Sequence, residues 1–236
     1  MDIKKYIPSQ LLVNEKIKLP DNFTKVKIDV GLSHNAPNST KWLENESDLL
    51  ILGFEPHPES FKTLRGTTRR ITHSRVCMPL NQVDKTFFPI NVALGNSEGI
   101  VDFYTTSKDL GTSSEYKPTQ FEHTKISVPK FKLESFLDFF PWDQISKIDH
   151  LKIDVQGSDW DVIRGTTKYL DKIAYISYES TTHNQYEGVS EDIEEIDSLL
   201  VQKGFKYEKC MWGCDMVYFN TKFDSIKDSI NFTLIS

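Results

Sequence analysis

Three short runs of the chain constrain its fold most. Val26-Lys27-Ile28-Asp29-Val30, Leu49-Leu50-Ile51-Leu52-Gly53-Phe54 and His150-Leu151-Lys152-Ile153-Asp154-Val155 are rich in β-branched and apolar residues. Runs of this kind suit strands covered on both faces, as in a parallel sheet. Each is followed by turn residues and then a helix-like stretch, and that alternation implies a sheet with helices as crossovers. The spacing predicts helices over residues 39–46, 58–64, 132–139, 159–170 and 190–203. Pro58 suits a first helical turn, Asn38 or Ser39, Ser158 and Ser190 read as N-caps, and Gly204 reads as a stop. Further strands are expected over 87–94, 100–104 and 173–178. Residues 205–212 and 215–219 read as a closing antiparallel hairpin around Gly213. Residues 65–85 read as an excursion, and the polar stretch 108–123 as a loop over the site. The tail after Thr221 reads as a last helix or a disordered end.

The expected organisation is one domain over 1–236, with a core at about 22–221, an N-terminal extension (1–21) and a C-terminal tail (222–236). A chain of 236 residues with 38% hydrophobic and 26% charged side chains can bury a sizeable core. The net charge of −6 argues against a nucleic-acid backbone as partner. The basic residues Lys62, Arg65, Arg69, Arg70, His73 and Arg75 read as a solvated face. No run has the length of a membrane span, and the start of the chain has no apolar leader stretch. Cys77, Cys210 and Cys214 are too few for a disulfide framework or a metal site of their own, so the expected compartment is the cytoplasm.

The strand ends carry the chemistry. Asp29-Val30-Gly31 leads into a polar turn before a helix. Gly31 lets a ligand approach the backbone, and amides at the turn favour an anionic group. A simple turn glycine is the plainer alternative. Glu55, at the end of the next strand, is placed where an acidic group in doubly wound folds takes a ribose diol. Its alternative role is a helix cap. Asp154 ends a third strand, where a buried charge is costly unless it is paired or functional. Binding the backbone of its own turn is the alternative there.

These segments resemble the FkbM family of S-adenosylmethionine-dependent methyltransferases. The resembling residues are Ile28-Asp29-Val30-Gly31, Gly53-Phe54-Glu55-Pro56-His57-Pro58, Asn91-Val92-Ala93-Leu94-Gly95 and Lys152-Ile153-Asp154-Val155-Gln156-Gly157 with the helix to Gly165, in order across about residues 25–180. The resemblance implies a Rossmann-like α/β fold. Its seven-stranded methyltransferase sheet is mostly parallel, with a C-terminal antiparallel hairpin and helices on both faces. It implies S-adenosylmethionine as cofactor and S-adenosylhomocysteine as product. By position, Asp29, Gly31 and the turn from Ser33 to Asn35 would hold the methionine part. Glu55, with Pro56 after it, would hold the ribose, and Asn91, Val92 and Ala93 would lie beside the adenine. Asp154 would sit near the transferring methyl group. Two positions depart from the pattern: Asn35 stands in place of a second glycine, and Gln156 in place of a glutamate. Asn tolerates a left-handed backbone.

The expected reaction is O-methylation of a sugar hydroxyl or similar small polar acceptor. Asp154 is the first candidate for base and His183 the second. Trp160, Tyr178 and Tyr186 are candidates for stacking on a sugar, with core packing as their alternative role. A metal-assisted variant would use Asp154, Glu179 and His183, though no ligand motif supports it. The rival from another class is a binding module that has lost catalysis. A nicotinamide oxidoreductase lacks its full Gly-x-Gly-x-x-Gly fingerprint here.

Overall fold

The computed structural model describes residues 1–67, 78–108, 110–180, 185–189 and 193–235. The chain opens with a small hairpin, β1 (Leu12–Val13) and β2 (Lys16–Ile17). Ile7, Leu11, Ile17 and Leu19 around it are buried in the main core. The central sheet follows. Its strands are β3 (Lys25–Val30), β4 (Leu49–Phe54), β5 (Phe87–Ile90), β9 (Ile148–Ile153), β10 (Ile173–Glu179), β11 (Phe205–Met211) and β12 (Asp215–Asn220), in the spatial order β11-β12-β10-β9-β3-β4-β5. The pairs β3/β4, β3/β9, β4/β5 and β9/β10 are parallel. β12 runs antiparallel to both of its neighbours. A second sheet of β6 (Ala93–Leu94), β7 (Gly99–Thr106) and β8 (His123–Phe131) has the order β6-β8-β7.

Side-chain alternation sorts the core. On one face Val26, Ile28 and Val30 of β3, Leu50, Leu52 and Phe54 of β4, and Leu151 and Ile153 of β9 meet three helices. These are α3 (Leu133–Leu137), α4 (Asp159–Arg164) and α5 (Ile193–Gln202), which contribute Phe136, Val162, Ile163, Ile196 and Leu200. On the other face Ile51 and Phe87 pack on Trp42 of α1 (Pro37–Asn45) and Leu64 of α2 (Pro58–Leu64). The fold is therefore α/β with helices on both sides of a mostly parallel sheet, as expected. Among the described residues no helix is long and apolar enough to cross a membrane.

Several boundaries differ from the sequence expectation, each for a local reason. The strand expected over 87–94 breaks after Ile90, where the Asn91 side chain donates to the carbonyls of Glu55 (2.7 Å) and Pro56 (3.2 Å). Its second half joins the other sheet. The helix expected over 159–170 stops at Arg164 and resumes as a 3-10 segment, Thr167–Lys172. Ser158 makes no side-chain cap there. α3 is shorter than the stretch 132–139, and α1 starts earlier, at Pro37. β8 was not expected; it has Pro129 within it and pairs along its length with β7. The Ser190 cap lies outside the described residues, as do Arg69, Arg70, His73, Arg75 and Cys77.

The C-terminal tail is neither a regular helix nor loose. After 3-10 turns over Thr221–Ser229, residues 230–235 lie across the sheet face beside α1. Trp42 Nε1 donates to the Thr233 carbonyl (2.6 Å), Lys27 Nζ to the Asn231 carbonyl (2.7 Å), and Asn38 exchanges hydrogen bonds with Ile235. Phe232 packs on His150 and Tyr175, with ring centroids 4.9 and 4.8 Å away. This strap roofs a set of buried polar groups, including the Lys27–Glu46 ion pair and the His150–Ser177 contact.

Candidate active site

The carboxyl ends of β3, β4, β9 and β10 converge on one rim of the sheet, the edge at which open α/β folds bind ligands. Gly31 follows β3 with φ +80°, and a Cβ there would lie 1.7 Å from the Asp154 carbonyl oxygen. Glycine is needed both for the left-handed backbone and for this close approach of two strand ends. Gly31 N–H donates to the Phe54 carbonyl and Asp154 N–H to the Val30 carbonyl, each at 3.0 Å, so the three strand ends are tied together. The left-handed positions of the next turn fall on Ser33 and Ala36. Asn35 therefore does not need the conformational tolerance expected of it.

Two adjoining hollows open beside Gly31, Pro56, Phe103 and Val155, which line both. The first is mostly apolar, with Val30, Phe54, Val92, Ala93 and Leu94 on its walls and Glu115 and Ser158 at its polar side. The second is the more polar of the two. Ser33, Glu55, Ser113, Asp154 and Gln156 line it.

Charge in this rim is arranged in pairs. Glu55 is 5% exposed, and its Oε1 accepts the His57 N–H at 2.8 Å. Burial pushes its carboxyl up to about 7, against the opposing pull of the His57 and Ser33 amides and the Lys152 ammonium. Lys152 donates to the Gly31 carbonyl (2.9 Å) and lies 3.2 Å from Asp29 and 3.4 Å from Asp154. Burial alone would lower its pKa, but the two carboxylates outweigh burial and hold it charged. Asp29 also accepts the Ser39 hydroxyl at 2.6 Å. Glu179 is raised above the ordinary carboxylate range, first by burial and then by the neighbouring Asp154 and Asp215. Between them sits Gln156, in a left-handed conformation (φ 58°). Its Nε2 donates to Asp154 Oδ1 (2.8 Å) and Glu179 Oε2 (2.7 Å), and its Oε1 accepts the Tyr186 hydroxyl (2.9 Å). The turn is anchored from below by Asp159, which accepts the Val155 and Gly157 amides.

Two loops roof the rim. Ser114 pairs with Tyr104 of β7 through both backbone hydrogen bonds, and its hydroxyl donates to the Gln156 carbonyl at 2.7 Å. The Thr119 N–H donates to the Gln185 carbonyl and the Glu187 N–H to the Lys117 carbonyl, so the two loops form one ladder. Leu110, Gly111 and Ser113 of the first loop line the polar hollow. The stretch read as a loop over the site thus lies there.

Of the residues singled out in the sequence, Gly31, Ser33, Glu55, Pro56, Val92, Ala93 and Asp154 line the hollows. Asp29, Asn35 and Asn91 do not; Asp29 faces Lys152 and Ser39, and Asn91 fastens the end of β4. His183 lies outside the described residues. Trp160 and Tyr178 are in the core, and Tyr186 is buried against Gln156 and Thr112. Sequence reasoning missed Lys152, Phe103, Glu115 and the bridging role of Gln156. Lys152 had a signal: a lysine inside a buried strand, two residues before Asp154, must find a carboxylate partner. Phe103 falls in the strand expected over 100–104 and Glu115 in the loop expected over the site, but the pairing of β7 with β8 that sets their positions was not foreseen. Among the described residues no three His, Cys, Asp or Glu side chains are grouped to hold a metal ion.

A mostly parallel sheet with one reversed strand carries, at its carboxyl rim, an apolar slot joined to a carboxylate-lined one, the edge at which open α/β folds bind ligands. The family model described as Methyltransferase FkbM domain matches residues 25–207, and the chain belongs to that family. Membership implies the use of S-adenosylmethionine. Among solved structures, precorrin-6y C5,15-methyltransferase from Geobacter metallireducens GS-15 aligns at a TM-score of 0.44 and 10% identity, over 92% of this chain and 88% of that one. The Methanococcus jannaschii fibrillarin pre-rRNA processing protein aligns at 0.44 and 12% identity, over 92% and 76%. No curated protein matches the chain in sequence.

Proposed function

We propose that this methyltransferase O-methylates a small polar acceptor such as a sugar hydroxyl, with the Asp154–Glu179 pair receiving the hydroxyl proton. The observation that carries the reading is the joined pair of hollows. The apolar slot suits an adenine, and the buried Glu55 carboxylate beside it suits the two hydroxyls of a ribose. The fit is chemical as well as spatial. The buried Glu55 carboxyl, raised to about 7, takes the His57 amide on Oε1 and has further lone pairs for the two hydroxyls of a vicinal diol. Val92 and Ala93 would flank the adenine, Glu55 and Pro56 the ribose, and Gly31 and Ser33 the methionine part. Asp29 would act through Lys152, whose ammonium it helps to hold under the rim.

The bound cofactor supplies a methyl group on a sulfonium, which is already activated for displacement. The protein must then hold the acceptor in line and take its proton. Asp154 lines the polar hollow together with Glu55, and Glu179 is joined to Asp154 through Gln156 Nε2. Glu179, raised above the ordinary range, can accept a proton and release it near neutral pH. The acceptor would enter under the 110–119 and 185–189 loops. The test is incubation with S-adenosylmethionine and a panel of saccharides, amines and thiols, following release of S-adenosylhomocysteine. Turnover with hydroxyl acceptors supports the reading; turnover with amines or thiols alone would overturn it. Protein that binds S-adenosylhomocysteine but transfers to none of the panel would favour a binding module on the same fold.

A further inference from the structure

We infer that Gln156 is a positioning residue: its carboxamide stands where a bridging cation would stand, aligning Asp154 with Glu179 and tying both to the roof loops. The inference rests on the proton-accepting role proposed above for that pair. Gln156 has a left-handed backbone, which is unfavourable for a non-glycine residue, and four contacts hold it there. The Ser114 hydroxyl donates to its carbonyl (2.7 Å) and the Tyr186 hydroxyl to its Oε1 (2.9 Å). Its Nε2 donates to Asp154 Oδ1 at 2.8 Å and to Glu179 Oε2 at 2.7 Å. A carboxamide nitrogen carries two hydrogens, and both are spent on carboxylate oxygens from adjacent strand ends. The reversed amide would set its oxygen against two carboxylate oxygens and its nitrogen against a hydroxyl donor, so the network fixes one orientation.

Two neighbouring carboxylates repel unless something positive lies between them. Here the amide N–H₂ supplies that positive edge without a full charge. Lys152 holds Asp154 on its other oxygen, Oδ2, at 3.4 Å, so this carboxylate is fixed from two directions. The one Tyr186 hydroxyl hydrogen is shared between Gln156 Oε1 and the Thr112 carbonyl, 3.0 Å away, and both loops therefore bear on the one side chain that aligns the pair. A glutamate at this position would place a third carboxylate among the first two, and only a cation or an extra proton would relieve it.

The experiment compares wild type with Gln156→Glu and Gln156→Asn, using Mn²⁺ as the probe. Thermal unfolding is followed in chelator and in millimolar Mn²⁺. The expected wild-type melting temperature is the same in both. Gln156→Glu should melt several degrees lower in chelator and recover with Mn²⁺, a response that a merely structural glutamine would not produce. Gln156→Asn tolerates the left-handed backbone but is one methylene too short to reach both carboxylates. It should show no Mn²⁺ response and faster amide hydrogen exchange in both 110–119 and 185–189. Wild type stabilised by Mn²⁺, or Gln156→Glu indifferent to it, would overturn the inference. If Gln156→Glu cannot be recovered folded, unchanged loop exchange in Gln156→Asn would overturn it alone. Failure of wild type to bind S-adenosylhomocysteine would instead strike the cofactor reading, and the ion response would still judge Gln156.

Discussion

Replacing Glu55 by glutamine separates what this carboxylate costs the fold from what it gives the site. The side chain is buried, and its pKa rises from 4.5 to about 7 on folding. A rise of that size corresponds to about 3 kcal/mol between the two protonation states. The sign follows from proton binding. The folded state holds the proton more tightly, so this contribution to stability is complete below pH 4.5 and disappears as pH rises through about 7. Between pH 5 and pH 8 the wild type should lose about 2.5 kcal/mol through Glu55, and the glutamine variant should not. Glu179 titrates in both proteins and cancels in the comparison. The assay is denaturant unfolding of both proteins at the two pH values. The stability of Glu55→Gln relative to wild type should therefore rise by about 2.5 kcal/mol between pH 5 and pH 8. The same variant should bind S-adenosylhomocysteine at least about tenfold more weakly at pH 8, because an amide accepts the ribose hydroxyls less strongly than a carboxylate. A stability difference that does not change with pH would refute the burial argument.

Other outcomes follow from the same geometry. Lys152→Met leaves Asp29 buried without its cation and should cost about 3–5 kcal/mol in denaturant unfolding. Gly31→Ala must displace the Asp154 carbonyl, and it should both lower the melting temperature and abolish cofactor binding by calorimetry. Removing residues 230–235 strips partners from Trp42, Lys27 and Asn38 and should cost at least about 2 kcal/mol at roughly 1 kcal/mol per hydrogen bond. Once an acceptor is known, the rate at saturation should rise with pH on a limb lying above the ordinary carboxylate range, and Glu179→Gln should remove that limb.

The inner strands of the central sheet were legible because they are buried on both faces. Continuous apolar runs such as Leu49–Phe54 leave few other solutions, and the glycine and acid at their ends mark the rim. The second sheet was not legible. β8, His123–Phe131, is half exposed and carries a proline, so it lacks the pattern of a buried strand. Its absence from the reading hid Phe103 and Glu115. The polar partners were the other gap. Asp29 and Asp154 were recognised as acids at strand ends, but the direction each side chain takes depends on strand parity and on where Lys152 emerges. Asp29 and Lys152 share the face under α1, so Asp29 points beneath the rim instead of into the hollow. The departure from the family pattern at Gln156 was visible in the sequence. Its meaning lies in the two partners beyond its own turn, Glu179 and Tyr186, which no local pattern encodes.

The central claim is that the joined hollows hold S-adenosylmethionine. Calorimetric titration of the wild-type protein with S-adenosylhomocysteine tests it most directly. Saturable binding at one site per chain is expected, with a dissociation constant on the order of micromolar. A folded protein that takes up no heat of binding at ligand concentrations of about a millimolar would contradict it.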